Sequence, residues 1–328
     1  MEAEDYAEEL FRFACASCMA NFVRHMHPGY MMGWFHEEIC DVLDGFLNGV
    51  YRRESPRLLI TAPVRHGKSE LASRMFPAYA FGRFPDMGII STSYNASLAF
   101  QMSRDVQRIM DSDAYRDLYP DTRLVPKGRR ADGDSNYLRQ AGHFEIVGRE
   151  GVYRSAGIGG TITGLGADCL ILDDPLKNRE EADSPTCRQS VWDAYASTLR
   201  TRLSPGGGII LIQTRWHEDD LAGRILEAAN GDGEPWRHLN YPAVAVRDEP
   251  NRKAGEALHP ERWPLDSLDR VRKTIGSYEF AALYQQHPTP DEGAVFRRDW
   301  FRRWRPGELP LRFDRTVMSW DMTFKDTA

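Results

Sequence analysis

Apolar residues recur along the chain in two spacings. An apolar position that returns every three or four residues predicts a helix, and a short apolar run bounded by turn residues predicts a strand covered on both faces. The predicted helices span residues 1–27, 34–46, 69–83 with a bend or stop at Pro77, a segment capped by Asn95, 187–203 and 218–229. The predicted strands are 58–60, 87–94, two short strands within 137–154, 168–174 and 208–216.

Strands therefore alternate with helices from residue 56 to residue 230. This alternation is typical of an α/β fold, in which a mostly parallel sheet is flanked by helices. The next region, 236–312, is richer in proline, tryptophan and charge, and its helical segments at 265–275 and 278–286 predict a small helical lid or linker subdomain. A new strand is predicted at 315–326.

The composition narrows the class of protein. The chain has 328 residues, a formal net charge of −6 and five cysteines, and such sparse cysteine use favours a reducing cytoplasm. No apolar run is long enough for a membrane span, and there is no signal-peptide core. Because the net charge is negative, nucleic acid could bind only at a local patch such as Lys127, Arg129 and Arg130, which is otherwise a solvated face. Cys15 and Cys18 form a C-x-x-C pair, but no second pair follows, so no zinc site is expected.

The stretch from residue 56 to residue 70 has the layout of a phosphate-binding loop. An apolar strand leads into A-P-V-R-H-G-K-S at 62–69, and a helix-compatible segment follows. In such a loop, backbone N–H groups surround the phosphates, Lys68 balances their charge and the hydroxyl of Ser69 is a ligand for Mg²⁺. Ala62 replaces the first glycine of the usual G-x-x-x-x-G-K-[ST] pattern. The residues expected to bind the nucleotide are Arg65, His66, Gly67, Lys68, Ser69 and Glu70.

Two adjacent carboxylates end the predicted strand at 168–174. Nucleotide hydrolysis at a phosphate-binding loop needs one acid to hold Mg²⁺ and another to polarise the attacking water. Asp173 suits the metal role, and Asp174 suits the catalytic role beside Lys68. An isolated pair of aspartates is equally consistent with a capped turn, whereas the pair combined with the loop predicts nucleotide hydrolysis.

Two further sets of residues are candidates for the site. Thr214 and Arg215 follow a predicted strand and are expected to sense the γ-phosphate, although a strand-to-helix turn capped by Thr214 explains the same spacing. Trp34, Phe35 and His36 lie upstream of the loop, where they could pack on an adenine ring or belong to the core. The arginine that speeds phosphoryl transfer could be Arg65, Arg154, Arg200 or Arg202, which the sequence does not rank.

Together these motifs resemble the large terminase subunit of tailed double-stranded-DNA bacteriophages. The resemblance is carried by residues 62–69, 93–99, 157–175, 214–226, 284–301 and 319–326. It implies a P-loop NTPase fold of the ASCE type, and a motor that hydrolyses ATP with Mg²⁺ and moves double-stranded DNA into a procapsid. It also implies a ribonuclease-H-like endonuclease domain. The first glycine of the loop is often missing in that family, and an arginine often precedes the Gly-Lys pair, as Ala62 and Arg65 do here.

The resemblance assigns a role to each candidate residue by position. Asp321 matches the first metal-binding acid of the nuclease, and because the other acids are absent from this sequence, the chain is not expected to cut DNA. The remaining assignments are Lys68 and Ser69 for ATP and Mg²⁺, Asp173 for the metal, Asp174 for catalysis, Thr214 and Arg215 for coupling, and Trp34 with His36 for adenine contact.

The resemblance also divides the chain and implies its partners. The expected parts are an N-terminal helical segment at 1–55, an ATPase core at 56–240, a lid or linker subdomain at 241–312 and the first nuclease strand at 313–328. The expected partners are double-stranded DNA, the portal protein and the small terminase subunit. The chain is expected to form a homo-oligomeric ring on the procapsid in the host cell cytoplasm, and to be a monomer in isolation. Two alternatives stay open, a nucleotide-binding assembly module and a helicase-like ATPase, each with little intrinsic hydrolysis.

Overall fold

A computed structural model of the chain describes residues 2–126, 137–160 and 166–289, with side chains from Tyr6 onward. Three sequence-based predictions lie outside these ranges. They are the basic cluster of Lys127, Arg129 and Arg130, the middle of the glycine-rich loop at 161–165, and the strand at 315–326 that carries Asp321.

The centre of the fold is a seven-stranded sheet with the order β3-β4-β2-β5-β6-β1-β7. Every neighbouring pair is parallel except β3 and β4, which are antiparallel. The strands are β1 (Arg57–Thr61), β2 (Gly88–Ser93), β3 (His143–Glu145), β4 (Val152–Gly157), β5 (Ala167–Asp173), β6 (Leu203–Gln213) and β7 (Arg237–Asn240).

Helices cover both faces of this sheet, so its central strands are apolar on both sides. In β1, Leu58 and Ile60 pack into one core cluster, while Leu59 faces the other, because successive side chains of a strand alternate. The helices are α1 (Glu2–Ser17), α2 (Met19–Met26), α3 (Trp34–Tyr51), α4 (Phe76–Arg83), α5 (Ala96–Asp111), α6 (Asp113–Leu118), α7 (Arg179–Asp183), α8 (Pro185–Asp193), α9 (Leu221–Ala229) and α10 (Leu265–Leu283). Within the described residues, no helix has both the length and the apolar character to cross a bilayer.

The predicted α/β fold with a mostly parallel sheet is confirmed. The strands predicted at 87–94 and 168–174 correspond to β2 and β5. Asn95 caps α5 as predicted, because its side chain accepts a hydrogen bond of 2.9 Å from the backbone N–H of Leu98. The helix predicted at 34–46 is present and continues to Tyr51.

Two helical predictions need correction near the N-terminus. Residues 1–27 form two helices rather than one, because the backbone is extended at Cys18. Pro77 does not stop the helix after the loop, because a wider π-helical turn (Glu70–Met75) ends before it and Pro77 falls in the first turn of α4. The backbone is helical on both sides of Pro77, and the proline falls where the wider hydrogen bonds of the π-helical turn, such as that from the N–H of Phe76 to the carbonyl of Leu71, give way to those of α4.

The helix predicted at 187–203 is present but is not a single α-helix. It consists of α8, a π-helical turn (Ala194–Leu199) and a short 3₁₀ turn, after which β6 already begins at Leu203. Pro205 and the three glycines that follow it are breakers by local rules but belong to the strand. At Gly208 a side chain would lie 2.4 Å from the ring of Phe46, so glycine allows α3 to pack closely on the start of β6.

The segment after residue 230 also differs from the prediction. β7 adds an edge strand beside β1 that the sequence did not indicate, because only Leu239 of its four residues is buried. The two helical pieces predicted at 265–275 and 278–286 form one helix, α10, with a kink at Gly276, where φ is +83°. Cys15 and Cys18 are free thiols, and the described residues contain no group of three His, Cys, Asp or Glu side chains placed to hold a metal.

Candidate functional site

The carboxyl ends of β1, β6 and β5 lie side by side at one edge of the sheet. Thr61 pairs with Gln213, and Asp173 pairs with Ile212, so the residues that follow each strand start from the same edge. The phosphate-binding loop, Thr214 and Asp174 thus meet here. Strand β6 lies between the loop strand and the acidic strand, which places Thr214 between the two.

Lys68 is the centre of the site. Its side chain is buried, and its Nζ donates a hydrogen bond of 2.8 Å to Oγ1 of Thr214. The same Nζ lies 3.2 Å from Oδ2 of Asp174. One ammonium group therefore links the loop, the acidic strand and the strand between them.

Ser69 and Asp173 form the second contact between the loop and the acidic strand. Oγ of Ser69 donates to Oδ1 of Asp173 at 3.0 Å, and Oγ of Ser73 donates to Oδ2 at 2.5 Å. Burial, and then the nearby charge of Asp174, raises the pKa of Asp173 to about 6, while Lys68 and the two serines oppose the rise. Ser73 was not among the predicted site residues, although its spacing of four residues from Ser69 was a usable signal.

Asp174 has an unusual backbone conformation. Its φ is +42°, a left-handed value that aspartate adopts more readily than most residues. Its Oδ1 accepts a hydrogen bond of 2.8 Å from the backbone N–H of Thr214, and its own N–H donates to the carbonyl of Ile212 at 2.8 Å. These bonds fix a carboxylate that is partly exposed beside the buried Asp173.

The loop itself is tightly supported from behind. Arg65 and Gly67 have left-handed φ values of +58° and +83°. A side chain at Gly67 would lie 2.2 Å from Oη of Tyr30 and 2.7 Å from Nε2 of His36. Glycine is therefore required at position 67 both by the backbone and by its neighbours.

His36 is a support of the loop in this structure. Its Nδ1 accepts a hydrogen bond of 2.9 Å from the backbone N–H of Gly33, and its Nε2 lies 3.0 Å from the carbonyl oxygen of His66. Both contacts require the neutral ring with the proton on Nε2. Burial agrees with this state, because it lowers the pKa of His36 to about 3.

A cavity of about 410 Å³ opens in front of the loop. Its walls include Gly67, Lys68 and Ser69 of the loop, together with Tyr30, Met31 and Arg262 from other segments. Arg65 and Glu70 also line this cavity, whereas the His66 ring is buried behind the loop.

Trp34 lies at a different cavity, beside Tyr241 and His238. The ring centroids of Trp34 and Tyr241 are 6.0 Å apart. The guanidinium carbon of Arg252 lies over the Trp34 ring, 5.9 Å from its centroid. The predicted adenine contact by Trp34 and His36 stays a prediction, with His36 behind the loop and Trp34 outside the loop cavity.

The side chain of Arg215 is bonded within the loop that follows β6. Its Nε donates to Oδ2 of Asp220 at 2.9 Å, and Asp220 in turn caps α9. The backbone N–H of Arg215 donates to Oε1 of Gln286 at 3.1 Å. Thr214 therefore contacts Lys68, whereas Arg215 is bonded to Gln286, just after α10. Gln286 was not a candidate from the sequence, because nothing in its local pattern indicates a partner 71 residues away.

The candidate arginines fall in different places. Arg65 is exposed and lines the loop cavity, and Arg154 lies within β4. Arg200 and Arg202 precede β6, at the opposite edge of the sheet from the loop, and Arg200 pairs with Glu234 at 2.5 Å. The structure thus places one of these four, Arg65, at the cavity within a single chain.

The fold and this site define the class of protein. It is a P-loop α/β protein in which the loop lysine contacts Asp174 at the end of β5 and Thr214 at the end of the neighbouring strand β6. The family follows from sequence comparison. The chain belongs to the family described as "Terminase large subunit, T4likevirus-type, N-terminal", whose model matches residues 59–303. A comparison with curated protein sequences gives no match.

Several solved structures are similar to this chain. The HK97 bacteriophage large terminase is 14% identical, with a TM-score of 0.48, over 75% of this chain and 50% of that one. A mutant ATPase domain of the Thermus phage P74-26 large terminase is 18% identical, with a TM-score of 0.45, over 74% and 93%. The large terminase of a thermophilic bacteriophage, in complex with ADP, is 10% identical, with a TM-score of 0.42, over 74% and 51%. The chain therefore spans about half the length of the HK97 protein and of the ADP-bound protein.

Proposed function

We propose that the chain hydrolyses ATP and is the motor domain of a terminase that moves double-stranded DNA into a procapsid. The observation that carries the proposal is the meeting of Lys68, Asp174 and Thr214 within 3.2 Å at the carboxyl edge of the sheet. This arrangement offers a cation for the polyphosphate and a fixed carboxylate beside it, which are the parts that phosphoryl transfer requires.

Each residue has a distinct task in this proposal. The backbone N–H groups around Gly67 and the ammonium of Lys68 bind the phosphates, which compete with Thr214 and Asp174 for that ammonium. Asp174 orients the attacking water and accepts its proton. Thr214, bonded to both Lys68 and Asp174, changes partners when the γ-phosphate binds or leaves.

Ser69 and Asp173 fit the demands of Mg²⁺. A hydroxyl and a carboxylate that lie 3.0 Å apart are hard oxygen ligands, and Mg²⁺ in such sites takes one or two protein ligands and completes its shell with phosphate oxygens and water. When bound, the ion neutralises charge on the phosphates.

The proposal extends to the parts of a terminase beyond this site. We propose the domain limits 1–55, 56–240, 241–312 and 313–328. We also propose that Asp321 is the first metal-binding acid of an endonuclease domain. DNA, the portal protein and the small terminase subunit are the proposed partners, with assembly as a ring on the procapsid in the host cytoplasm. DNA contacts would be made mainly to phosphates and would weaken with salt.

ATP binding and turnover of two variants test the proposal. Lys68→Ala should lose ATP affinity and turnover together, because it removes the phosphate cation. Asp174→Asn should bind ATP normally and turn over at least about 100-fold more slowly, because the general base is lost. Lys273→Ala and Asp266→Asn are matched controls, since both residues are exposed on α10.

Two results would contradict the proposal. Retained turnover in both variants would remove this site from the reaction. A wild-type chain that binds ATP without turning it over, alone or assembled, would identify a nucleotide-binding assembly module instead.

A further inference from the structure

A turn from the segment after β7 is attached directly to the phosphate-binding loop. This turn, residues 259–263, precedes α10, and its Trp263 stacks on the ring of His66 with centroids 5.6 Å apart and planes at 14°. Nε1 of Trp263 also donates to the carbonyl oxygen of Arg65 at 3.4 Å. The turn therefore contacts the loop through both a ring and a backbone hydrogen bond.

The other end of the turn is anchored as well. His259 is buried, and its ring packs edge-on against Phe35 at 5.6 Å and His36 at 5.2 Å. The backbone N–H groups of Arg262 and Trp263 both donate to the carbonyl of His259, at 3.1 Å and 2.7 Å. Because the turn is closed on itself and fixed at both ends, the backbone of Arg262 has a defined position beside the loop.

The side chain of Arg262 makes no hydrogen bond or ion pair within the described part of the chain. Its side chain is exposed and lines the loop cavity, and among residues 2–126, 137–160 and 166–289 it has neither an ion-pair partner nor a side-chain hydrogen bond. Arg74, which lines the same cavity, is by contrast bound to Asp105 and Glu70. A fixed but unpaired cation at a cavity wall is suited to an anionic ligand.

The position of Arg262 relative to the other charges indicates which part of a nucleotide it faces. Burial is the main reason that the pKa of His66 falls to about 4, and the charges of Lys68 and Arg262 lower it further. Arg262 lines the loop cavity together with Tyr30 and Met31, whereas Asp174 and Thr214 do not line it. Because Asp174 is placed where the γ-phosphate would react, Arg262 faces the part of the site away from the reacting phosphate.

We infer that Arg262 binds the α- and β-phosphates of a nucleotide held by the loop of the same chain. This inference rests on the proposed function, since it names a further binding residue for that site. The α- and β-phosphates are shared by ATP and ADP, so Arg262 contributes equally to the affinity for both. It supplies binding energy rather than catalysis, because the reacting phosphate lies with Lys68 and Asp174.

The test compares nucleotide affinity among four proteins: the wild type, Arg262→Gln, Arg262→Lys and the control Arg270→Gln. Arg270 is an exposed arginine of α10 that contacts Ser267 and does not line the loop cavity. Fluorescent ATP and ADP analogues report the two dissociation constants at one fixed salt concentration, and steady-state turnover reports KM and kcat.

Arg262→Gln should weaken ATP and ADP binding by about tenfold each, raise KM by a similar factor and leave kcat within about twofold of the wild-type value. Arg262→Lys should recover most of the lost affinity, because it keeps the charge. Arg270→Gln should behave as the wild type.

Three results would overturn the inference: unchanged affinity in Arg262→Gln, a loss confined to ATP, or a lysine variant as weak as the glutamine variant. Failure of the proposed function is distinguishable, because the wild-type chain would then lack turnover, or would keep it in both Lys68→Ala and Asp174→Asn, whatever the effect of Arg262→Gln on nucleotide affinity.

Discussion

At the scale of single residues, Asp173 has a proposed metal-binding role in a buried location that disfavours its negative charge. Its side chain is buried, and two serine hydroxyls and one ammonium do not fully replace the water that it loses. In its proposed metal-binding role Asp173 must be ionised, and without the metal that buried charge makes the folded chain less stable.

This conflict predicts a pH-dependent gain of stability in Asp173→Asn. The pKa of Asp173 is higher in the folded chain, about 6, than in the unfolded chain, so the ionised group destabilises the fold above pH 6 and the penalty disappears as the pH falls toward 4. Without nucleotide or metal, the variant should melt on the order of 5 °C above the wild type at pH 8, and the difference should shrink through pH 6.

Thermal unfolding followed by circular dichroism between pH 4.5 and 8 measures this difference. Asp266→Asn, at an exposed position of α10, should show no such trend. A wild type more stable than Asp173→Asn at pH 8 would mean that Lys68 and the serines compensate the charge in full.

The sequence identified the residues of the loop and the acidic pair because their types and spacing are set by the chemistry of phosphate and Mg²⁺. It could not assign His36 in the same way. Its position before the loop suggested an adenine contact, which stays a prediction, and the contacts of its two ring nitrogens with Gly33 and His66 were not predicted. Which face of α3 meets the loop depends on packing of the whole domain, which local spacing does not encode.

At the scale of elements, two successive glutamines attach the residues that follow α10 to the rest of the fold, and the second of them reaches the site. Gln285 bonds to both the N–H and the carbonyl of Val244, each at 2.9 Å, as a strand neighbour would. Gln286 is buried with a φ of +55°, and its amide joins the N–H of Arg215 to the carbonyl of Leu283 at 2.7 Å. Through Gln286, the end of α10 is linked to Arg215, the residue next to Thr214.

Gln286→Ala is predicted to lower kcat by about tenfold while changing ATP affinity by less than about twofold. The substitution leaves the buried N–H of Arg215 without its acceptor, which costs about 1–3 kcal/mol and loosens the position of Thr214. Lys68 and the loop, which hold the phosphates, keep their other contacts. Steady-state kinetics and nucleotide titration measure the two effects separately.

Gln285→Ala is the matched control, because it removes a neighbouring tether that leads to Val244 rather than to the site. It should reduce stability without a comparable loss of kcat. Equal kinetic losses in the two variants would assign the effect to general loosening of the segment that contains α10.

The sequence predicted elements well where a buried strand or an amphipathic helix gives a regular pattern, as in β2, β5 and α5. It was wrong where local rules and packing conflict. Pro77 and the Pro205–Gly208 stretch are breakers by local rules, yet a π-helical turn and close packing under α3 accommodate them. β7 was missed because an edge strand with one buried side chain has almost no hydrophobic pattern.

At the scale of the whole molecule, the site joins four segments that are far apart in sequence. Three of them, 62–69, 173–174 and 214–215, follow parallel strands, so topology alone brings them to one edge. The fourth, the turn at 259–263, reaches the loop through the Trp263–His66 stack. Only the first three were predictable, since no rule of strand order governs where a turn from a later segment packs.

Completion of the site by a second molecule is expected from the contacts around Asp174. In the described ranges, the contacts of the Asp174 carboxylate are with Lys68 and Thr214, and the guanidinium of Arg215 is bound to Asp220. Phosphoryl transfer of this kind is accelerated on the order of 10³-fold or more by an arginine at the γ-phosphate, often from a neighbouring subunit. We therefore expect turnover per chain to rise by about tenfold or more as the protein is concentrated and assembles.

A dilution series with parallel sedimentation analysis measures turnover against assembly. Lys68→Ala should stay inactive at every concentration, which excludes a contaminating ATPase. A turnover per chain that stays constant from monomer to assembly would contradict the prediction and identify an arginine within the chain as sufficient. Arg65 would then be the first candidate, because it is exposed at the cavity and its left-handed backbone and carbonyl contact with Trp263 fix its position.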